Sequence, residues 1–125
     1  MSELELSDQN FDLSMLMEIA DGADEFLVET IELFLKQTPE LMYAIDAAIR
    51  EKQWVTAAQS AHKLKPNLGF FGMLESQTLM QQIEALCKAG EDSPEIKTLF
   101  LQLVGKVRPT LAKLEVIMKA KQANL

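Results

Sequence analysis

The chain has 125 residues, of which 48% are hydrophobic, and this suits one compact domain whose core needs no disulfide or metal. Nineteen acidic residues against twelve basic ones give a formal net charge of −7. Such a charge repels phosphate backbones and anionic lipids, and it argues against nucleic acids and membrane surfaces as partners. We therefore predict a single domain over residues 1–125 that binds a protein or a small ligand.

The sequence carries one cysteine, Cys87, which cannot form an internal disulfide. Its start, "MSELELSDQN", lacks the basic region and the apolar run of a secretory signal. No apolar stretch approaches the roughly 20 residues that a membrane-spanning helix needs. These features predict a cytoplasmic protein without a membrane segment.

Apolar residues recur at intervals of three and four along the chain, and runs of alternating β-branched residues are missing. This pattern predicts an all-α fold. The first predicted helix is short and runs from about Asp12 to Ala20. It follows the stretch "LSDQN", whose Ser7, Asp8 and Asn10 are candidate caps, and it ends where Gly22 breaks the pattern.

Three further helices are predicted from the same periodicity. The second is long, from about Asp24 to Arg50, and we expect Thr38 and Pro39 to bend or split it. The third runs from about Trp54 to Phe70, and the fourth from about Leu74 to Ala89.

The fifth helix is predicted from about Pro94 to Lys121, with Ser93 as its N-cap and Pro94 at its first helical position. Gly105 and Pro109 are its weak points. Four long helices joined by short connections favour an antiparallel up-and-down four-helix bundle, with the short N-terminal helix as an added lid. A closed bundle leaves no spare apolar face, so we expect a monomer.

The third helix contains His62, the only histidine of the chain. A lone histidine in a helix is usually a structural residue, so the face on which it lies is decisive. On a wheel with about 100° per residue, the apolar side chains of Ala57, Leu64, Leu68 and Phe71 gather opposite His62. The face of His62, with Lys65 at its edge, consists of Val55, Ala58, Gln59, Pro66, Gly69 and Met73. Because Ala58 and Gly69 are small, we expect the imidazole to protrude from the helix, where the surface of another molecule could contact it.

The residues around His62 exclude several kinds of chemistry. Hydrolysis would need a serine or cysteine held by the histidine and a third group to orient it, and no local motif supplies them. A two-metal site in a bundle needs two Glu-x-x-His pairs, and zinc needs three or four ligands. One histidine and one cysteine cannot meet either need without several carboxylates. A glycine-rich nucleotide loop, which a kinase would need, is missing from the sequence. A neutral imidazole is, however, a good nucleophile toward phosphorus, and Lys65 one turn away could neutralise phosphoryl oxygens.

The stretch "AHKLKPNLGFFGM" resembles the signature of histidine-containing phosphotransfer (HPt) domains. His62, Leu64, Lys65 and Gly72 match that signature in order and spacing. The resemblance implies a four-helix bundle whose histidine exchanges a phosphoryl group with two partners, a sensor (hybrid) histidine kinase and a response-regulator receiver domain. It also implies a carrier rather than an enzyme, without a cofactor of its own, because the receiver brings the Mg²⁺ and most of the catalysis.

The resemblance further implies a site around the histidine. The family tends to place Gln or Glu on the next helix, and Glu84 is the matching position. We expect a hydrogen bond from Nδ1 of His62 to Glu84, which would fix the tautomer and leave the lone pair on Nε2, with the Lys65 ammonium beside the ring. Receivers should dock on the face of His62 described above, with Lys63 at its side as a docking charge.

One residue departs from the family pattern. Pro66 stands where the family usually has glycine, and a proline there removes the helical hydrogen bond to the carbonyl of His62. We expect the helix to bend or loosen at that point. Either the proline is a tolerated kink, or it alters the choice of partner or makes the site degenerate. The alternative function is therefore an interaction-only bundle, including an HPt-like adaptor that is not phosphorylated.

Overall fold

The computed structural model describes residues 5–125, and the first four residues of "MSELELSDQN" lie outside the described part. Five helices follow one another: α1 (Ser14–Ala20), α2 (Asp24–Arg50), α3 (Trp54–Phe70), α4 (Leu74–Ala89) and α5 (Pro94–Gln122). Between residues 5 and 125 no β-strand forms, and a single isolated bridge joins residues 7 and 12. The predicted all-α fold is confirmed.

Helices α2 to α5 form a closed ring in which α2 packs on α3, α3 on α4, α4 on α5 and α5 again on α2. The connections between them have three or four residues, so consecutive helices run antiparallel. Helix α1 packs on α2 as an addition to the bundle. Across residues 5–125 no helix is long and apolar enough to cross a membrane.

The helix boundaries agree closely with the predicted ones beyond α1. Helices α2, α3 and α4 begin and end at the predicted residues, and α5 ends one residue later than predicted, at Gln122. The Ser93 hydroxyl accepts a hydrogen bond from the backbone N–H of Glu95 at 3.3 Å, with Pro94 at the first helical turn. Local capping chemistry therefore sets the start of α5.

The start of α1 was predicted wrongly. The helix begins at Ser14, and the side chains of Ser7, Asp8 and Asn10 do not cap it. Oδ1 of Asp8 instead accepts hydrogen bonds from two backbone N–H groups within the preceding turn. Asp12, predicted as helical, accepts a hydrogen bond from the Ser14 N–H at 2.9 Å. A row of Asp, Asn and Ser residues offers several local turns, and the sequence alone does not rank them.

Prolines lie inside three of the helices without ending them. Of the two outcomes expected at Pro39, a bend or a split, the split does not occur, because α2 runs unbroken through Pro39. Helices α3 and α5 likewise continue through Pro66 and Pro109. Buried side chains lie on both sides of Pro39, including Phe34 and Ile45. Burial of these side chains in the core offsets the hydrogen bond that the proline removes.

The segment before α1 covers the end of the bundle at the α3–α4 turn. Phe11 and Leu13 are buried in the core, and the Asp12 N–H donates to the Phe71 carbonyl at 3.1 Å. Gly72 makes this approach possible, since its φ is +65° and a Cβ there would lie 2.2 Å from the Asp12 carbonyl oxygen. The close approach of Asp12 therefore explains why a glycine stands at position 72, which matches the end of the HPt signature.

We expect Gly72→Ala to lower the free energy of unfolding by about 2 to 3 kcal/mol, measured by urea denaturation. The new Cβ would meet the backbone of Asp12, and the left-handed φ adds strain. Gly105→Ala is the matched control, because Gly105 is helical, exposed and has open space around it. That change should raise the stability by up to about 1 kcal/mol. Equal urea midpoints for Gly72→Ala and the parent would show that the contact with Asp12 contributes nothing.

Candidate functional site

His62 lies on the outer side of α3, with its side chain 69% exposed. The opposite side of the helix carries Ala57, Ala61, Leu64 and Leu68, all fully buried in the core. These apolar residues recur at three- and four-residue spacing, so burying them turns His62 outward. The imidazole is therefore accessible to another molecule.

The partner of His62 is a buried carboxylate on α4. Nδ1 of His62 lies 3.2 Å from Oε2 of Glu84, whose side chain is only 2% exposed. Lys65 of α3 places its ammonium 2.7 Å from Oε1, and Lys88 of α4 places its ammonium 2.9 Å from Oε2. We call His62, Lys65, Glu84 and Lys88 the Glu84 cluster.

The two lysines keep Glu84 ionised. The Lys65 ammonium beside the carboxylate lowers the pKa of Glu84 to about 2, with Lys88 adding to the effect and burial opposing it. An ionised carboxylate can only accept hydrogen bonds, so a bond with Nδ1 requires the proton to be on Nδ1. The lone pair of the neutral ring is then on Nε2, on the exposed side.

Helix α4 also fixes Lys65. The Gln81 side-chain carbonyl accepts a hydrogen bond from the Lys65 ammonium, and the Gln77 amide donates to the Lys65 backbone carbonyl at 3.2 Å. Together with Glu84 and Lys88, these glutamines recur at three- and four-residue spacing on α4. Sequence reasoning missed Gln77, Gln81 and Lys88, although a helical wheel of α4 drawn around Glu84 would have indicated them.

A groove of about 890 Å³ lies beside His62 between α3 and α4. Four of the predicted docking residues line it, namely Val55, Ala58, Gln59 and Lys63. The remaining lining residues are Trp54, Glu84, Cys87, Lys88 and Gly90. Within residues 5–125 no group of three or more His, Cys, Asp or Glu side chains is placed to hold a metal ion.

Three residues of the predicted docking face lie elsewhere. Met73 is fully buried and precedes α4, so its assignment to the docking face was wrong. The wheel of α3 does not extend to it because that helix ends at Phe70. Pro66 is exposed and Gly69 half-buried, and neither lines the groove.

The space beside Gly69 is occupied by a side chain of α4 and is not open to a docking partner. A Cβ at this position would lie 2.5 Å from the amide nitrogen of Gln77, whose side chain crosses the glycine to reach the Lys65 carbonyl. A larger residue at position 69 would displace Gln77 from α3. The small residue therefore serves the packing of α3 on α4.

An exposed histidine over a buried carboxylate on a four-helix bundle defines a class of protein suited to carrying a group on an imidazole. The family comparison agrees with this class. The chain matches the family model named Hpt domain over residues 29–114, which includes all of α3 and α4. No curated protein and no solved structure is significantly similar to it. The chain belongs to the Hpt domain family, whose members are phosphotransfer carriers rather than catalysts.

The lowered pKa of Glu84 predicts a pH dependence of stability. The pKa of its carboxyl is about 2 in the folded chain against 4.5 for the free group, so its contribution to stability is complete above pH 4.5. The contribution decreases as the pH falls from about 4.5 toward 2. We expect Glu84→Gln to be less stable than the parent near pH 6 by about 1 to 3 kcal/mol in urea denaturation, and the difference to shrink steadily below pH 4.5.

The control for this experiment is Glu75→Gln. Glu75 also pairs with a lysine, Lys106, but its side chain is exposed, and such surface pairs contribute little. This change should leave the pH dependence of the parent as it is. A constant difference between Glu84→Gln and the parent from pH 6 to pH 3 would contradict the assignment of the pH dependence to Glu84.

Proposed function

We propose that the protein is a phosphorelay intermediate in which His62 reversibly carries a phosphoryl group. The observation that carries this proposal is the 3.2 Å approach of Nδ1 of the exposed His62 to the ionised, buried Glu84. That approach leaves Nε2 as the nucleophile and holds the ring in one orientation. Membership of the Hpt domain family supports the same reaction.

The proposed transfer is an exchange of one bond for another at phosphorus. The lone pair of Nε2 attacks the phosphorus of a receiver's aspartyl phosphate, the Nε2–P bond forms, and the P–O bond breaks to leave the aspartate carboxylate. The ring then carries a positive charge beside Glu84, which stabilises it. The reverse exchange returns the phosphoryl group to a receiver, so Glu84 acts as a positioning residue in both directions.

The partners proposed are a response-regulator receiver domain and a sensor (hybrid) histidine kinase, and the proposed carrier is a cytoplasmic monomer. Receivers dock at the groove beside His62, where Val55 supplies exposed apolar surface and Lys63 and Lys88 supply charge. The groove adjoins the nucleophile, so a partner seated there brings its phosphoryl group next to Nε2.

His62→Gln tests the carrier role. The parent, incubated with a phosphorylated receiver, should gain a label that is stable in mild alkali and lost in acid, because protonation makes the imidazole of a phosphohistidine a good leaving group. The variant should gain no label in intact-protein mass spectrometry. It should still fold by circular dichroism, since the side chain of His62 is exposed and lies outside the core.

A folded His62→Gln protein that still accepts phosphate would contradict the carrier role. If neither parent nor variant is labelled by any of a broad set of active receivers, the interaction-only adaptor, in which His62 is dispensable, is the better assignment.

Val55→Asp tests the docking surface. Val55 is exposed at the groove, so a carboxylate there should leave the fold intact and weaken receiver binding at least about tenfold, because it places charge within apolar contact area. The matched control is Val116→Asp, an exposed valine of α5 that does not line the groove. Binding measured by titration calorimetry should be unchanged in the control. Equal weakening by both substitutions would place the docking surface elsewhere.

A further inference from the structure

The two lysines of the Glu84 cluster differ in their freedom to move. Lys65 is 20% exposed and its ammonium is bound by both Glu84 and Gln81. Lys88 is 64% exposed, and its one ion-pair partner in the described residues is Glu84. Lys88 also lines the groove beside His62, whereas Lys65 does not. The sequence motif favours Lys65 as the phosphoryl-binding cation. The exposure and the contacts of the two lysines favour Lys88 instead.

Moving the Lys65 ammonium away from Glu84 would be energetically unfavourable. Its withdrawal would strip the buried Glu84 carboxylate of the nearer ammonium and would leave Gln81 without its donor. Removing one partner of a buried ion pair is strongly destabilising, because the remaining charge stays out of water. Lys65 therefore remains with Glu84 when a phosphoryl group arrives.

Moving Lys88 is far easier. The ammonium of the exposed Lys88 stays in contact with water when it leaves, and Glu84 keeps Lys65 as its counter-charge. Lys88 approaches the same carboxylate oxygen that faces Nδ1 of His62, and both side chains line the same groove. A phosphoryl group on Nε2 would offer this ammonium more negative charge than a shared carboxylate oxygen does.

We propose that Lys88 is the cation that binds the phosphoryl group on His62, and that Lys65 is a positioning residue that holds Glu84. This inference rests on the proposed function of His62. On transfer, the Lys88 ammonium leaves Oε2 of Glu84 and binds a phosphoryl oxygen. Oε2 then accepts one hydrogen bond, from the Nδ1–H of the charged ring. Lys88 thereby stabilises both the transferring group and the carrier state.

Phosphoramidate is a suitable probe, since it donates a phosphoryl group without a receiver. Its P–N bond breaks as the Nε2–P bond forms, and ammonia leaves already carrying its protons. Labelling of the full chain is followed by intact-protein mass spectrometry, and the phosphohistidine is observed by ³¹P NMR. The variants are Lys88→Gln, Lys88→Arg and Lys65→Gln.

The matched control is Lys119→Gln on α5. Lys119 forms the same kind of helical ion pair as Lys88, with Glu115 four residues before it, and is 68% exposed. This control should be labelled at the rate of the parent.

Lys88→Gln should be labelled about tenfold more slowly than the parent, with a shifted ³¹P resonance and a urea midpoint that falls less than that of Lys65→Gln. Lys88→Arg should recover most of the rate, because it restores a cation. Lys65→Gln should unfold at lower urea than the parent, and the folded protein should lose less of the labelling rate than Lys88→Gln does. These results would support the assignment of the two lysines.

The inference is overturned if the parent is labelled and Lys88→Gln matches it in rate and ³¹P resonance, or if Lys65→Gln, while folded, loses labelling and Lys88→Gln keeps it. Absence of labelling in the parent under conditions that label a known phosphohistidine carrier is a different outcome. It would overturn the proposed function of His62 itself, and the assignment of Lys88 with it.

Discussion

The candidate site depends on one buried charge, the carboxylate of Glu84. A carboxylate that is 2% exposed is tolerated only with counter-charges at hydrogen-bond distance, and here Lys65 and Lys88 supply them from two different helices. Because Lys65 belongs to α3 and Glu84 to α4, the same pair fixes the two helices relative to each other. The orientation of His62 follows from it, since Nδ1 faces the oxygen that α4 holds in place.

The fold was largely predictable because local chemistry marks the helix ends. Ser93 and Pro94 begin α5, and the apolar periodicity from Asp24 to Arg50 persists through Pro39, so α2 was placed correctly. The exceptions have physical reasons. Near α1 several polar residues compete as caps, and the choice is made by tertiary contacts, such as the hydrogen bond from Asp12 to the Phe71 carbonyl.

The site was predictable only where a single helix decides it. A wheel of α3 places His62 and Val55 on the exposed side, but it carries no information about which α4 side chains lie across from each position. Gly69 illustrates this limit. The wheel of α3 shows Gly69 as a position without a side chain near the histidine. In the bundle, the Gln77 side chain of α4 occupies the space above it. A wheel of α4 pairs Lys88 with Glu84 one turn earlier, but only the contact between Glu84 and Nδ1 connects that pair to His62.

The net charge of the whole chain has the opposite sign to the charge of the groove beside His62. With a formal charge of −7 the protein repels extended polyanions, yet the groove beside His62 is lined by two lysines, Lys63 and Lys88, against one glutamate. Interactions between exposed charges are screened within about 10 Å at ordinary ionic strength, so an anion in the groove interacts more with the groove's lysines than with distant acidic residues. An acidic exterior with a locally cationic groove is thus compatible with the proposed phosphoryl exchange.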